Sequence, residues 1–114
     1  MKFEELFGKT ITKIVVSDDK ETVTFTDNEG NKYQMYHFQD CCESVYVEDI
    51  TGDLNDLLNT PIIKAEENTS EEDFECGSLT WTFYNIATVK GHVTIRWYGE
   101  SNGYYSEDVS FIKL

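Results

Sequence analysis

Residues 22–26 read Thr-Val-Thr-Phe-Thr, which puts Val23 and Phe25 on one side of an extended segment and the three threonines on the other. Strand character recurs over Thr10–Val16, Asn31–Phe38 and Ser44–Ile50, where Val45 and Val47 oppose Tyr46 and Glu48. It is strongest in the last third, over Leu79–Val89, His92–Tyr98 and Tyr104–Ile112. Turn formers separate these runs: Ser17–Lys20, Asp27–Gly30, Lys90–Gly91 and Ser101–Gly103. The first three runs predict a meander.

Two stretches follow the helical period instead. Lys2–Phe7 supplies one or two turns ending at Gly8, and Leu54, Leu57 and Leu58 share a helical face after a cap at Thr51–Asp53 and before Pro61. Ile62–Glu66 reads as a further strand, and the acidic stretch from Asn68 to Gly77 reads as a surface loop. The pattern predicts an α+β, mostly β chain: a single antiparallel sheet-rich domain of roughly seven or eight strands with one or two short helices. No repeat or linker interrupts residues 1–114, which read as one domain, and the exposed edges fall at Ile62–Glu66 or Tyr104–Ile112.

Length allows a core without cross-links, since a domain of 114 residues buries roughly two thirds of its unfolded surface. No signal-like apolar run follows the N-terminal lysine, and no stretch is long enough to span a bilayer, so a cytoplasmic location is expected. Charge changes the picture more. Twenty-two acidic against nine basic side chains give a net charge of −13. Phosphate neutralisation needs the Lys and Arg that are scarce here, so direct nucleic-acid binding is disfavoured and a basic protein partner favoured. The plainer alternative is that the charge maintains solubility.

Candidate chemistry concentrates in Tyr36–Ile50, which reads YHFQDCCESVYVEDI. Three cysteines, an odd number, in a reducing compartment argue for thiols that are buried or bind metal, and adjacent Cys41 and Cys42 are poorly disposed to bridge each other. If the Asp40–Glu43 connection turns tightly, His37, Cys41 and Cys42 share a corner that Cys76 can reach from the acidic loop. Three thiolates and an imidazole would form a closed, structural zinc site, with Asp40 or Glu43 able to replace one ligand. Against it stands the absence of a Cys-x-x-Cys pair, and the alternative is small packing residues beside a hydrogen-bonded histidine. A Cys–His catalytic pair lacks an evident orienting group. Glu48 and Asp49 diverge on a regular strand, His92 reads as structural, and Gly99–Asp108 reads as a tight turn leading into an edge strand. No phosphate-cradling glycine loop occurs.

The motif His37-x-Gln39-Asp40-Cys41-Cys42-Glu43 followed by Glu48 and Asp49, together with Trp97–Glu107 (W-Y-G-E-S-N-G-Y-Y-S-E) and Thr80–Tyr84, resembles an uncharacterised domain family of bacteriophage and prophage proteins. Size, acidity and motif set also resemble phage-encoded anti-CRISPR proteins, inhibitors of the type II RNA-guided effector nuclease. That resemblance implies a small non-enzymatic protein in the host bacterial cytoplasm that binds the nuclease and hinders target DNA loading, and it supports zinc at His37, Cys41 and Cys42, with Cys76 outside the motif. The contact surfaces expected are Glu43, Glu48 and Asp49 together with Glu66, Glu67, Glu71, Glu72 and Asp73. The alternatives are a small metal- or cysteine-dependent enzyme, or a phage host-takeover module that binds some other protein.

Overall fold

The computed structural model describes all 114 residues. The meander forms as the alternation predicts, from β1 (Ile11–Val16), β2 (Thr22–Asp27) and β3 (Lys32–Tyr36), and β8 (Ser110–Lys113) pairs with β3 to complete a sheet in the order β1-β2-β3-β8. A second sheet is built from β4 (Ser44–Thr51), β5 (Lys64–Phe74), β6 (Gly77–Thr88) and β7 (Gly91–Ser101), in the order β4-β7-β6-β5. All pairings are antiparallel. The fold is mostly β with eight strands, divided between two sheets.

Both short helices are single 3₁₀ turns, Phe3–Leu6 and Leu54–Leu57. The Glu5 carboxylate accepts the Lys2 backbone N–H at 2.7 Å, and Asp53 caps the second turn by accepting the Asn55 N–H at 2.9 Å. Gly8 leaves the first turn at φ 84°, a conformation that costs glycine little. No helix is long and apolar enough to cross a membrane.

The inner faces of the two sheets enclose one hydrophobic cluster. Val23, Phe25, Tyr33, Met35 and Phe111 enter from one sheet, and Val45, Val47, Tyr84, Ile86, Val93, Ile95 and Trp97 from the other. Each large side chain fully withdrawn from water contributes about 1.5–3 kcal/mol. Phe3 joins the two layers, its ring centroid 4.6 Å from Tyr84 on β6 and 5.4 Å from Phe111 on β8. A second tie comes from the β1–β2 turn, where the Lys20 carbonyl accepts the Val47 N–H of β4 at 2.7 Å.

Two expectations about the elements are corrected. The stretch from Asn68 to Gly77 is not a loop: most of it belongs to β5, which pairs with β6 without a break from Lys64↔Ala87 to Phe74↔Gly77. Its low strand propensity is overridden because β5 is an edge strand whose residues from Glu66 to Phe74 are all exposed, so its charges stay solvated while its backbone pairs. Conversely, Tyr104–Ile112 is strand only from Ser110 onward, because the preceding residues carry the chain from one sheet to the other. The long β5–β6 hairpin accounts for the elongated outline, 45 × 24 × 24 Å.

Phe3→Ala should lower unfolding free energy by about 3–5 kcal/mol, since it opens a cavity between the layers. Urea denaturation followed by tryptophan fluorescence reads this, and a loss below about 1 kcal/mol would mean that the N-terminal turn does not help close the core.

Candidate functional site

The two motifs that stand out in the sequence are the two places where the chain passes between the sheets. Residues 37–43 lead from β3 to β4, and residues 102–109 lead from β7 to β8. Because β3 pairs with β8 (Tyr36↔Ser110) and β4 pairs with β7 (Ser44↔Glu100), the crossings run side by side in opposite directions. A crossing leaves its backbone groups outside any ladder, so each must find side-chain partners.

In the first crossing that partner is Glu43, whose residue is 4% exposed. Its Oε1 accepts the Cys41 N–H at 2.8 Å and Gln39 Nε2 at 3.0 Å, while its Oε2 accepts the Asp40 N–H at 3.1 Å and lies 3.0 Å from His37 Nε2. Burial works to raise the carboxyl's pKa, but the Cys41 amide, His37 and the Asp40 amide outweigh it and hold it at about 2. His37 Nδ1 lies 2.7 Å from the Asp108 carbonyl oxygen, which can only accept, so this nitrogen donates. Both nitrogens of this buried ring therefore face oxygen atoms, the Asp108 carbonyl on one side and the Glu43 carboxylate on the other. The imidazole thereby bolts one crossing to the other.

Glu107 is the corresponding residue of the second crossing. It is 6% exposed and accepts Ser78 Oγ at 2.5 Å, Thr80 Oγ1 at 2.8 Å and the Ser101 hydroxyl. Burial pushes its pKa up, and the hydroxyls of Ser101, Ser78 and Thr80 pull it below the ordinary value. Gly99 makes this approach possible: a Cβ there would stand 2.9 Å from both the Cβ and the backbone oxygen of Glu107. The Gly, Ser and Glu of the Trp97–Glu107 motif are thus parts of one packing arrangement.

The proposed zinc ligands are not gathered. Both ring nitrogens of His37 are engaged as described. The sulfurs of Cys41 and Cys42 lie against each other at the bend that Glu43 holds. Cys76 is free and exposed in the β5–β6 turn, and β7 separates β4 from β6, about two strand spacings or 10 Å. No group of three or more His, Cys, Asp and Glu side chains is placed to hold a metal ion. Zinc requires an imidazole lone pair and thiolates, so this arrangement does not fit it.

The proposed contact carboxylates divide by environment. Glu43 is buried and committed to the crossing. Glu66 and Glu72 face outward on β5, whereas Glu67, Glu71 and Asp73 lie on the inner side, paired with Tyr84, Thr80 and Ser78, with Glu67 lining a cavity beside Tyr36 and Phe111 of the first sheet. Glu48 and Asp49 do not diverge, because a bulge between Val47 and Asp49 turns both toward Arg96. Arg96 Nε donates to Glu48 Oε2 at 2.8 Å, and its Nη2 lies 4.0 Å from Asp49 Oδ2. Sequence reasoning missed Glu107 and Arg96 as hubs. The motif spacing hinted at the first; the second depends on the bulge, which no local pattern announces.

A family profile described as a domain of unknown function (DUF7448) matches residues 4–111. No curated protein and no solved structure matches the chain.

The pH dependence of Glu43 has a definite sign. Its folded pKa of about 2 lies below the ordinary 4.5, so its stabilisation is complete above the ordinary value and disappears as pH falls toward 2. Urea midpoints of wild type and Glu43→Gln should therefore differ most near neutral pH and converge toward pH 2, and a gap independent of pH would refute a stabilising role for the Glu43 charge. Excess chelator should leave the wild-type midpoint unchanged; a fall would restore a metal to the corner. Gly99→Ala should destabilise by about 1–3 kcal/mol through overpacking against Glu107, read in the same assay.

Proposed function

The chain belongs to the DUF7448 family, whose description assigns no activity, and from that premise we propose that it is a non-catalytic binding module for a basic protein surface. The observation that carries the proposal is the edge strand β5, where Glu66, Glu67, Glu71, Glu72 and Asp73 are exposed on a single long hairpin with Lys64 as the only cation of the strand. Edge strands offer unpaired backbone groups, and carboxylates along them discourage pairing with a second copy while favouring a cationic partner. The net charge of −13 adds long-range attraction toward such a partner.

A buried carboxylate–imidazole contact and a hydroxyl-bound carboxylate give the motif polar residues a structural task, so the reading needs no chemistry from them. The partner nominated by the resemblance of the sequence is the type II RNA-guided effector nuclease, which holds guide and target in a positively charged channel. In that reading the protein is a phage-encoded anti-CRISPR inhibitor acting in the bacterial cytoplasm. Its acidic hairpin occupies a basic surface of the nuclease, and its bulk hinders the loading of target DNA.

A cleavage assay with purified nuclease, guide and target tests this directly. The protein should inhibit cleavage at near-stoichiometric ratio, and inhibition should weaken as salt rises from about 0.1 to about 0.5 M, where the screening length has fallen to a few ångströms. The triple change Glu71→Lys, Glu72→Lys and Asp73→Lys should weaken it about tenfold or more. Cleavage unaffected by excess protein would remove the nuclease as partner and leave a host-takeover module with another basic target.

A further inference from the structure

The two sheets differ in what they turn outward. Between them β2 and β3 present Thr22, Thr24, Thr26 and Gln34, an ordinary solvated face. The second sheet instead presents a cross-strand row of aromatic rings: Tyr46 on β4 pairs with Tyr98 on β7, which pairs with Trp81 on β6. Ring centroids are 5.7 Å apart for Tyr46–Tyr98 and 4.9 Å for Trp81–Tyr98. Leu79 and Phe83 flank Trp81 along β6, on the same face. Tyr46 is 37% exposed and the others are half-buried among one another, with no layer packed over them.

Carboxylates border this row on both sides. Glu100 and Glu72 lie on either side of Leu79 in the neighbouring row, and Glu48 and Asp49 stand on the opposite border. Between the borders the chain's own Arg96 demonstrates the chemistry. Its guanidinium carbon lies 5.1 Å from the Trp81 ring centroid while its Nε donates to Glu48 at 2.8 Å. A guanidinium is thus held between an indole face and a carboxylate; Tyr46, Tyr98, Asp49 and Glu72 offer the same two components, while Glu100 accepts the Tyr98 hydroxyl at 2.5 Å.

We propose that the outer face of the second sheet docks arginine side chains of a basic protein partner, each guanidinium stacking on the Tyr46–Tyr98–Trp81 row beside Arg96 and pairing with Asp49 or Glu72. This rests on the reading of the protein as a module for basic surfaces and adds where, and through which side chain, recognition occurs. Arginine is selected over lysine because a planar, weakly hydrated guanidinium stacks on a ring and forks to a carboxylate, whereas an ammonium remains a hydrated point charge. Nucleic acid is disfavoured by the bordering carboxylates, which repel phosphate. A neutral glycan could stack on the rings but would draw nothing from the acidic borders.

The test is an NMR titration of isotopically labelled protein with an acetylated, amidated (Gly-Arg)₄ peptide, and separately with (Gly-Lys)₄ and with cellohexaose. Trp81 and Trp97 provide internal probes, since Trp97 is fully buried on the inner face. The arginine peptide should shift the Trp81 indole N–H and the amides around Tyr46 and Tyr98, leave the Trp97 indole in place, and bind more tightly than the lysine peptide. Trp81→Ala and Tyr98→Ala, first checked for native amide dispersion, should each weaken the arginine peptide about two- to fivefold, the worth of one exposed cation–π contact. Glu72→Gln, whose carboxylate borders the row through its pairing with Leu79 and bonds none of the rings, should weaken both cationic peptides.

Equal binding of the two cationic peptides with shifts confined to the β5 hairpin would overturn the proposal, as would shifts of the same face by cellohexaose alone. Failure of the nuclease assay leaves the titration informative, because the peptide is an independent probe. Nuclease inhibition that survives Trp81→Ala and Tyr98→Ala, with no peptide shift at this face, would move the contact to the hairpin and overturn the inference while keeping the broader reading.

Discussion

Where the chain passes twice between its sheets, the two passages lie against each other, and the hydrogen bond from His37 Nδ1 to the Asp108 carbonyl ties them together. Much else depends on that tie. Each passage strips its backbone of ladder partners near the end of the core, and an unpaired polar group there costs as much as the hydrogen bond it lacks. Glu43 answers with acceptors for two amides, an amide side chain and an imidazole. In the second passage Ser101, Asn102 and Ser106 accept backbone amides, while Glu107 fastens the passage to three hydroxyls of β6 and β7. With the passages fixed, β4 is aligned on β7 and β8 on β3, so the two sheets meet face to face over one core.

The same arrangement alters the meaning of the acidic composition. Glu43 and Glu107 are consumed inside the protein, as is Asp27, which accepts the Glu29 and Asn31 amides and the Tyr33 hydroxyl in the β2–β3 turn. These carboxylates sit at the most distinctive points of the sequence and serve architecture. The carboxylates left free for a partner stand elsewhere, on the plain-looking β5 and around the outward rings of β4, β6 and β7. A histidine, two cysteines and two carboxylates within seven residues suggest metal chemistry by composition alone. The same residue types serve equally well as a buried acid–imidazole clasp, and composition does not distinguish the two.

How far the chain was legible from sequence varies with the element. Val23 and Phe25 placed β2 correctly because alternation is a local consequence of the pleat, and Gly8 and Asp53 marked turns through their own backbone and side-chain preferences. The segment from Asn68 to Gly77 was misread because its strand is stabilised by pairing with β6 across the whole hairpin, an interaction absent from its local pattern. Glu48 and Asp49 were misread for a related reason: a bulge set by register against β7 turned both toward Arg96.

Sequence by itself determined that this chain is mostly antiparallel β, where its turns fall, and that its surface is strongly negative, because periodicity, turn chemistry and charge are carried residue by residue. Tertiary structure alone decided that the strands divide into two sheets, that His37 faces Glu43 and Asp108, and that Tyr46, Trp81 and Tyr98 share an outward row. The physical reason is sequence distance. His37 and Asp108 are separated by 71 positions, and Tyr46, Trp81 and Tyr98 come from three strands, so their proximity exists only once sheet pairing has fixed the register.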